Sequence, residues 1–395
     1  MRLYLMLLFA CLGIAIRGAE AMPGTTAFWC ELISQPASQS YCWGNGTNGR
    51  LGNGGTSQRT SPSSVLGGWT DWSAISAGTS HSCGIRNGLA YCWGDGEFGR
   101  LGSGGSTSFT SPSLVLGDWT DWSTISAGGT YSCGIRSGAA YCWGSGASGQ
   151  LGDGATTQRT SPSLVLGGWT DWSAISAGET HTCGIRNGAA YCWGNGTYGQ
   201  LGNGDTSNRT SPSLVLGGWS DWSTISAGDS HSCGIRSAAA YCWGSGASGQ
   251  LGDGATTQRT SPSLVLGGWT DWSAISADRV HSCGIRNGAA YCWGEGGSGK
   301  LGNGFTSSRT SPSLVLGGWT DWSAIMAGDS HSCGIRSGAA YCWGSGTNGR
   351  LGNGFTSQKS SPSLVLGGWT DWSAISAGNS HSCGIVSSTF VQDSC

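Results

Sequence analysis

Short runs of alternating apolar and polar residues, separated by stretches rich in Gly, Ser and Thr, recur along the chain every 50 residues. In a representative unit this alternation predicts four β-strands, and no segment has the spacing of an amphipathic helix. The second and third strands form a hairpin around Asn87-Gly88, because a type I′ turn needs two central residues with positive φ. The fourth strand is expected to follow Pro112, because a missing N–H is tolerated where a strand starts. The predicted strands are residues 72–76, 80–85, 89–93 and 113–116.

The period of this pattern predicts the fold. Tyr-Cys-Trp-Gly, first at residues 41–44, occurs seven times without an insertion or deletion, and Trp-x-x-Trp and Cys-Gly-Ile each recur seven times as well. A unit of this length is typical of a propeller blade. The first Tyr-Cys-Trp-Gly has no hairpin partner before it, and the last Cys-Gly-Ile has none after it. We therefore predict an all-β fold, a seven-bladed β-propeller of four-stranded antiparallel blades, closed by pairing of the N- and C-terminal segments.

The cysteines occupy facing positions in this register. Counting back from the hairpin turn places residue 83 opposite residue 92 in a non-hydrogen-bonded pair, where Cα atoms approach to about 4.5 Å and a disulfide can form. Paired thiols with no nearby His or third Cys in the same blade do not make a zinc site, so we expect no metal. The six predicted hairpin disulfides are Cys83–Cys92, Cys133–Cys142, Cys183–Cys192, Cys233–Cys242, Cys283–Cys292 and Cys333–Cys342.

Besides Cys11, four further cysteines lie near the two ends of the chain. If the seventh blade is built from both termini, Cys42 faces Cys383, and Cys30 and Cys395 remain to lock the same seam. The competing connectivity joins Cys30 to Cys42 and Cys383 to Cys395 as two local loops. We favour the seam pairing, because the strand count then closes at seven.

The first 21 residues have the features of a secretory signal peptide. Arg2 precedes an apolar run over residues 3–16, and Ala19-Glu20-Ala21 is a small-residue cleavage site. The alternative is an uncleaved anchor, although the run is shorter than the roughly 20 residues of a membrane span. Cleavage removes Cys11 and leaves an even number of cysteines for an oxidising compartment. We therefore expect a secreted protein with no membrane span after signal removal, divided into residues 1–21 (signal peptide), 22–40 (N-terminal seam segment), 41–386 (seven repeats) and 387–395 (C-terminal seam segment).

Charge and composition exclude several classes of partner. The formal net charge is −2, only 10% of residues are charged, and no run of Lys or Arg occurs. A nucleic-acid binder needs a basic surface to neutralise phosphates, so we expect no nucleic acid as a partner. Gly44-x-Gly46-x-x-Gly49 matches a dinucleotide-binding pattern, but it lacks the following helix and acidic residue and recurs in every unit. We expect no cofactor.

Two stretches carry a resemblance to a known family. Cys-Trp-Gly-x-Gly-x-x-Gly-x-Leu-Gly-x-Gly and Ile-Ser-Ala-Gly-x-x-His-x-Cys-Gly-Ile resemble the regulator of chromosome condensation repeat, over about residues 41–386. The resemblance implies a seven-bladed propeller closed by its two ends. The founding member of the family is a nuclear exchange factor for the GTPase Ran that binds chromatin and uses an inserted hairpin. The unbroken period here leaves no room for that insertion, and secreted relatives present loops to protein partners.

Several repeated side chains are expected to be structural. Asp71 and its repeats are expected to satisfy backbone donors in a turn, and Arg86 and its repeats to form a solvated ring. Most of the repeated tryptophans are expected in the cores between blades. One repeat position carries six histidines, which we expect to make structural hydrogen bonds, and a tyrosine in the remaining blade: His81, His181, His231, His281, His331, His381 and Tyr131.

The loop between the third and fourth strands varies most among the repeats. Aromatic and acidic side chains on such loops are what a recognition surface uses, and the alternative is drift at unconstrained sites. The candidate binding residues are Glu97, Phe98, Phe109, Tyr198, Asp205, Phe305 and Phe355. Three Asn-x-Thr sequons in the same loops predict glycosylation at Asn45, Asn195 and Asn208.

These observations predict a binding protein rather than an enzyme. The favoured hypothesis is a secreted propeller that presents its Gly-rich loops to a protein partner. The alternatives are a multivalent lectin with a glycan partner, an exchange factor by family analogy, and a hydrolase with its site in the central channel. A hydrolase would need one blade with its own acid/base cluster, and we identify none in the sequence.

Overall fold

The structure is a computed structural model that describes residues 36–389, almost all of which are organised as β-strands and the short loops between them. The predicted signal peptide, residues 1–21, lies outside the described residues, as do Cys30 and Cys395. Four short 3₁₀ turns occur at Thr47–Gly49, Glu97–Gly99, Gly297–Gly299 and Thr347–Gly349. The strands are β1 (Pro36–Gly44), β2 (Arg59–Ser64), β3 (Trp72–Ala77), β4 (His81–Arg86), β5 (Leu89–Gly94), β6 (Phe109–Leu114), β7 (Trp122–Ala127), β8 (Tyr131–Arg136), β9 (Ala139–Gly144), β10 (Arg159–Leu164), β11 (Trp172–Ala177), β12 (His181–Arg186), β13 (Ala189–Gly194), β14 (Arg209–Leu214), β15 (Trp222–Ala227), β16 (His231–Arg236), β17 (Ala239–Gly244), β18 (Arg259–Leu264), β19 (Trp272–Ala277), β20 (His281–Arg286), β21 (Ala289–Gly294), β22 (Arg309–Leu314), β23 (Trp322–Ala327), β24 (His331–Arg336), β25 (Ala339–Gly344), β26 (Lys359–Leu364), β27 (Trp372–Ala377) and β28 (His381–Thr389).

The strands form seven four-stranded antiparallel sheets, which confirms the predicted propeller. In six blades the order follows the chain, as in β3-β4-β5-β6, and neighbouring first strands contact one another around a central channel. The seventh sheet has the order β2-β1-β28-β27, so the two ends of the chain pair within one blade. The ring is therefore closed in the way the sequence predicts.

The disulfides follow the predicted register. Cys83 pairs with Cys92 across the hairpin, with their Cα atoms 4.1 Å apart, and the same bridge is present in five further blades. In the closing blade Cys42 is bonded to Cys383. That bond excludes the alternative pairing of Cys42 with Cys30 and of Cys383 with Cys395.

The fourth strand differs from its prediction. It was expected over residues 113–116, after Pro112, but β6 runs over Phe109–Leu114 and has the proline in its interior. Gly94 pairs with Phe109 and Cys92 with Ser113, so the register shifts between these two pairs. Pro112 lies within this irregular stretch, where the ladder does not require its missing N–H.

The cores lie between adjacent blades. The Trp93 side chain is fully buried, and its Nε1–H donates a 3.0 Å hydrogen bond to the backbone oxygen of Arg50, in the loop of the preceding blade. Ser82 donates to the same oxygen at 2.9 Å. The loop can lie this close because Gly52 has φ +67°, and a Cβ there would be 2.6 Å from Nε1 of Trp93. Each loop between the third and fourth strands is thus attached to the next blade.

The repeated histidines make the structural hydrogen bonds that the sequence predicts. The His81 ring is fully buried, and its Nε2 lies 2.8 Å from Oγ of Ser132 in the neighbouring blade. Burial lowers the pKa of His81 to about 3, so the ring is neutral. In the remaining blade the Tyr131 hydroxyl accepts from Oγ1 of Thr182 at 2.9 Å.

An ion pair that the sequence did not predict joins the start of the blade to its hairpin in six of the seven blades. The Asp71 carboxylate accepts two hydrogen bonds from Arg86, at 2.7 and 2.8 Å. The guanidinium carbon of Arg86 lies 4.4 Å from the ring centroid of Trp69. The arginines are therefore held in place rather than freely solvated, and only the closing blade, with Val386 at this position, lacks the pair among residues 36–389.

Candidate functional site

One end of the propeller carries two sets of connections. The turns between first and second strands (residues 78–80 and their repeats, here the inner turns) lie at this end, and so do the loops between third and fourth strands (residues 95–108 and their repeats, the outer loops). Antiparallel order places both at the same end of each sheet. We call the surface formed by the inner turns and outer loops the loop face.

Two phenylalanines are the most exposed large apolar side chains of the described residues. Phe305 is 61% exposed and Phe355 is 64% exposed, at equivalent positions of adjacent blades. Tyr198 and Phe98, at a different position of the outer loops, are 49% and 38% exposed. Four of the five predicted aromatic residues therefore lie exposed on the loop face.

The loop that carries Phe305 is fixed by hydrogen bonds. The Phe305 N–H donates to Oδ1 of Asn303 at 3.0 Å, and Nδ2 of Asn303 donates to Oγ of Ser313 at 3.0 Å. The Gly304 N–H reaches the Ser360 oxygen of the next blade at 2.8 Å. The Phe355 loop has the same set of bonds. These bonds hold the backbone of both loops, so ordering the loops on binding would cost little entropy.

Basic side chains accompany both rings. The guanidinium carbon of Arg309 lies 5.8 Å from the Phe305 centroid, and Nζ of Lys359 lies 5.9 Å from the Phe355 centroid. Both rings remain mostly exposed despite these contacts.

The other predicted binding residues lie in different surroundings. Phe109 was expected on an exposed loop, but it begins β6, is half-buried and packs against the core of its blade. This placement is a correction, and it follows from the earlier start of the fourth strand. Asp205 is ion-paired with Arg209 in its own loop, and Glu97 lies 3.8 Å from a guanidinium nitrogen of Arg100.

The three sequons lie in outer loops. Oδ1 of Asn45 accepts from the Thr47 N–H at 2.8 Å, and Asn195 makes the same turn with Thr197. Asn208 shares a loop with Asn195, and its Oδ1 accepts from the Gly196 N–H at 3.0 Å. Glycosylation at these sites stays a prediction.

A cavity at the channel mouth contains residues that the sequence reasoning missed. It has a volume of about 460 Å³ and is lined by the inner turns of all seven blades. The signal was available, because the middle position of the turn varies among the blades, whereas the flanking positions are Gly and Ser or Thr in every blade but the one with Asp278 and Val280. The seven residues are Thr79, Gly129, Glu179, Asp229, Arg279, Asp329 and Asn379.

Acidic side chains dominate one side of this mouth. Oε2 of Glu179 extends past Gly129 and accepts a 2.8 Å hydrogen bond from Oγ1 of Thr79. Arg279 lies 3.3 Å from the Asp329 carboxylate. Burial and the neighbouring carboxylates raise the pKa of Asp278 well above its ordinary value, and burial also raises the pKa of Glu179 and of Asp229.

No three His, Cys, Asp or Glu side chains between residues 36 and 389 are grouped so that they could hold a metal ion. No helix in this part of the chain has the length and apolar character of a membrane span.

Comparison with protein families gives matches along most of the chain. The family described as "Regulator of chromosome condensation (RCC1) repeat" matches residues 39–85, 87–135, 137–185, 187–235, 287–335 and 337–385, and a second form of the repeat matches residues 172–200. No curated protein sequence matches the chain.

Solved structures with the same architecture include a human and a yeast protein. Human WBSCR16 is 19% identical, with a TM-score of 0.79 over 90% of this chain and 100% of that chain. Prp20p from Saccharomyces cerevisiae, described with its binding properties to Gsp1p and histones, is 19% identical, with a TM-score of 0.79 over 90% and 93%. The yeast protein bound to Kap60 is 18% identical, with a TM-score of 0.79 over 96% and 98%. At these identities the likeness shows the fold alone.

Proposed function

The chain belongs to the regulator of chromosome condensation (RCC1) repeat family, and we propose that it is a secreted binding protein whose loop face holds a protein partner. Seven disulfides support an oxidising compartment, because such bonds are rare in reducing cytosol and nucleus. The predicted signal peptide agrees with that location. The partner is then an extracellular molecule.

The observation that carries the proposal is the pair of exposed rings at Phe305 and Phe355. Transfer of a phenylalanine side chain from water to an apolar contact contributes about 1.5–3 kcal/mol. Aromatic anchors of this kind supply most of the binding energy at many protein interfaces. Blades with Ala155 and Ala255 at the same position keep the fold, so the rings are not needed for it.

A protein partner is favoured over a glycan, because the repeated tryptophans are not free to stack on sugars. Trp93 and its repeats are fully buried, and Trp72 and its repeats are buried as well. In six blades the third tryptophan, as at Trp69, has the guanidinium of an arginine against its ring. A lectin would need exposed aromatic faces at several equivalent positions.

We propose binding without catalysis and without nucleotide exchange. The binding of Prp20p to Gsp1p and histones belongs to that protein, and a relative at this identity carries only the fold to this chain. The hydrogen bonds of the buried histidines give them a structural role, so they supply no general base on the loop face.

The test compares the oxidised wild-type protein with the double variant Phe305→Ala/Phe355→Ala in capture from extracellular fluid, followed by mass spectrometry and a glycan array. Alanine is the residue that Ala155 and Ala255 already supply at this position, so the variant is expected to fold. We expect a protein bound by the wild type to bind the variant at least about 100-fold more weakly.

The control is Leu166→Ala/Leu266→Ala, which removes exposed apolar side chains beside the outer loops of two blades that lack the phenylalanines. It is expected to bind the partner as the wild type does. Equal binding by the phenylalanine variant would place the partner elsewhere, and glycan binding at several sites would favour the lectin.

A further inference from the structure

The mouth of the central channel has the size of a ligand site. Its volume of about 460 Å³ falls within the usual range of small-molecule pockets, about 300–1,000 Å³. Serine, alanine and glycine of the first strands and inner turns form most of its wall. Charged side chains therefore decide what it can bind.

Unpaired acidic side chains are concentrated in three adjacent blades. Glu179, Asp229 and Asp278 line the cavity, and none of the three forms an ion pair with any residue of the described chain. The single lining cation, Arg279, is paired with Asp329. With all four carboxylates ionised the lining would carry a net charge of 1 − 4 = −3.

Basic groups behind the wall reach the inner turns of the other four blades. Arg50, Arg100, Lys300 and Arg350 each reach the backbone oxygen of an inner turn in the next blade. The residues at the equivalent position that precede Glu179, Asp229 and Arg279 are the neutral Gln150, Gln200 and Gln250. No cation therefore occupies this position behind the turns that carry Glu179, Asp229 and Asp278, although Arg100 acts on the Glu179 carboxylate from the neighbouring turn.

Asp278 occupies a position where the other six blades have glycine. A Cβ at Gly228 or Gly378 would lie 2.2 or 2.4 Å from a carbonyl oxygen of the next blade. The turn at Asp278 is correspondingly looser, because its N–H lies 3.3 Å from the His281 oxygen, against 2.9 Å for the same bond at Gly78. The fold itself therefore favours glycine, and the carboxylate needs another explanation.

We propose that the channel mouth is a binding site for an organic cation, a guanidinium or ammonium group, held by Glu179, Asp229 and Asp278. Such a group would donate charge-assisted hydrogen bonds to the carboxylates. It would also relieve their mutual repulsion, in a cavity where solvent screens charge less than at an open surface. The site is separate from the exposed phenylalanines and does not depend on what they bind.

The test uses isothermal titration calorimetry on the full oxidised protein at low ionic strength. The probes are the peptide acetyl-Gly-Arg-Gly-amide, agmatine as a free guanidinium compound, and the peptide with neutral citrulline in place of arginine. We expect the arginine peptide to bind at one site per chain and the citrulline peptide to bind at least about tenfold more weakly. Binding of agmatine as well would show that a free cation suffices, and binding of the peptide alone would assign the site to a protein side chain.

Asp278→Gly is the decisive variant, because it restores the residue of the other six blades and so is expected to fold at least as stably as the wild type. It should weaken binding of the arginine peptide about tenfold. Asp205→Asn removes a carboxylate of the loop face outside the cavity and should leave binding unchanged. Phe305→Ala/Phe355→Ala should also leave it unchanged, so loss of the proposed partner and loss of the cation site can be told apart. No binding of either cation, or equal binding by Asp278→Gly, would overturn the proposal.

Discussion

At the residue scale, a single side chain decides the backbone conformation of each outer loop. Arg100 has only donors, and its Nε donates to the Glu97 backbone oxygen at 2.9 Å. Gln150, at the same position, presents an acceptor, and its Oε1 receives the Ser148 N–H at 2.8 Å. The peptide group between residues 97 and 98 therefore has the opposite orientation to the equivalent group between residues 147 and 148. Among residues 36–389, the residue two positions before this side chain has a positive φ only in the loops where the side chain is Arg or Lys.

Phe98 is strained by this arrangement. Its φ is +61°, a conformation that is unfavourable for a bulky residue and costs about 1–3 kcal/mol. Asn48 and Asn348 adopt the same angle in equivalent loops, and asparagine tolerates it better. We predict that Phe98→Asn raises the free energy of unfolding by about 1 kcal/mol in urea titrations.

The matched control for this prediction is Tyr198→Asn. Tyr198 precedes Gln200 and does not have a positive φ, so its replacement should give no such gain. A gain of equal size in both variants would mean that removal of an exposed ring, and not relief of backbone strain, accounts for the effect.

At the element scale, the bridge between β1 and β28 encloses far more chain than any hairpin bridge. Cys42 and Cys383 are 341 residues apart, whereas each hairpin pair is 9 apart. Loop-closure entropy then predicts that the seam bridge raises the free energy of unfolding by about 6 kcal/mol and a hairpin bridge by about 3 kcal/mol. The closing blade depends most on its disulfide.

We predict that Cys42→Ser/Cys383→Ser lowers the free energy of unfolding about twice as much as Cys183→Ser/Cys192→Ser. Both variants place two buried serines in a blade core, so that cost cancels in the comparison. The measurement uses a Cys30→Ser/Cys395→Ser background, so that the predicted second seam bridge cannot compensate. Equal losses in the two variants would show that strand pairing closes the ring without help from this bond.

The hairpin register and the closure of the ring could be predicted from the repeated motifs, whereas contacts that depend on how the chain enters a strand could not. The hairpin register follows from Asn87-Gly88, and it fixes the position of Cys83 opposite Cys92. The bond between Asp71 and Arg86 depends on how the chain enters the first strand, which the alternation of residues does not specify. The start of the fourth strand at Phe109 depends on an irregular register, and only the three-dimensional structure reveals it.

At the scale of the whole molecule, the channel-mouth site exists only because the inner turns of neighbouring blades meet at the centre of the ring. Glu179, Asp229 and Asp278 come from three blades and are about 50 residues apart in the sequence. No single blade contains an acid cluster, which is why the search for one in the sequence found nothing. The loop-face aromatics could be found as variable residues in a repeated loop, whereas the channel mouth required knowledge of which turns meet at the centre.

The buried histidines connect blade to blade around the ring, and they make the whole molecule sensitive to acid. Each is fully buried, and its Nδ1 has no hydrogen-bond partner among the described residues. Burial lowers the pKa of His81, His181 and His231 to about 3, and it lowers the pKa of the other three well below the ordinary value. The unfolded chain takes up these protons below about pH 6.5, and the folded chain does not. Stability is therefore complete above that pH and is lost as the pH falls from about 6.5 towards about 3.

The chain itself supplies the variant that tests this. Tyr131 and Thr182 replace one histidine–serine pair, so His331→Tyr/Ser382→Thr transfers a neutral pair to another blade junction. Each histidine should lower the free energy of unfolding by about 2 kcal/mol as the pH falls from about 7.5 to about 5. We predict that the double variant loses about 2 kcal/mol less over that range than the wild type, measured by urea unfolding at both pH values. Ser382→Thr alone should keep the wild-type pH dependence. If His331 is buried and neutral, its removal takes away one proton that the unfolded chain binds and the folded chain does not. A double variant with the pH dependence of the wild type would therefore contradict this state of His331.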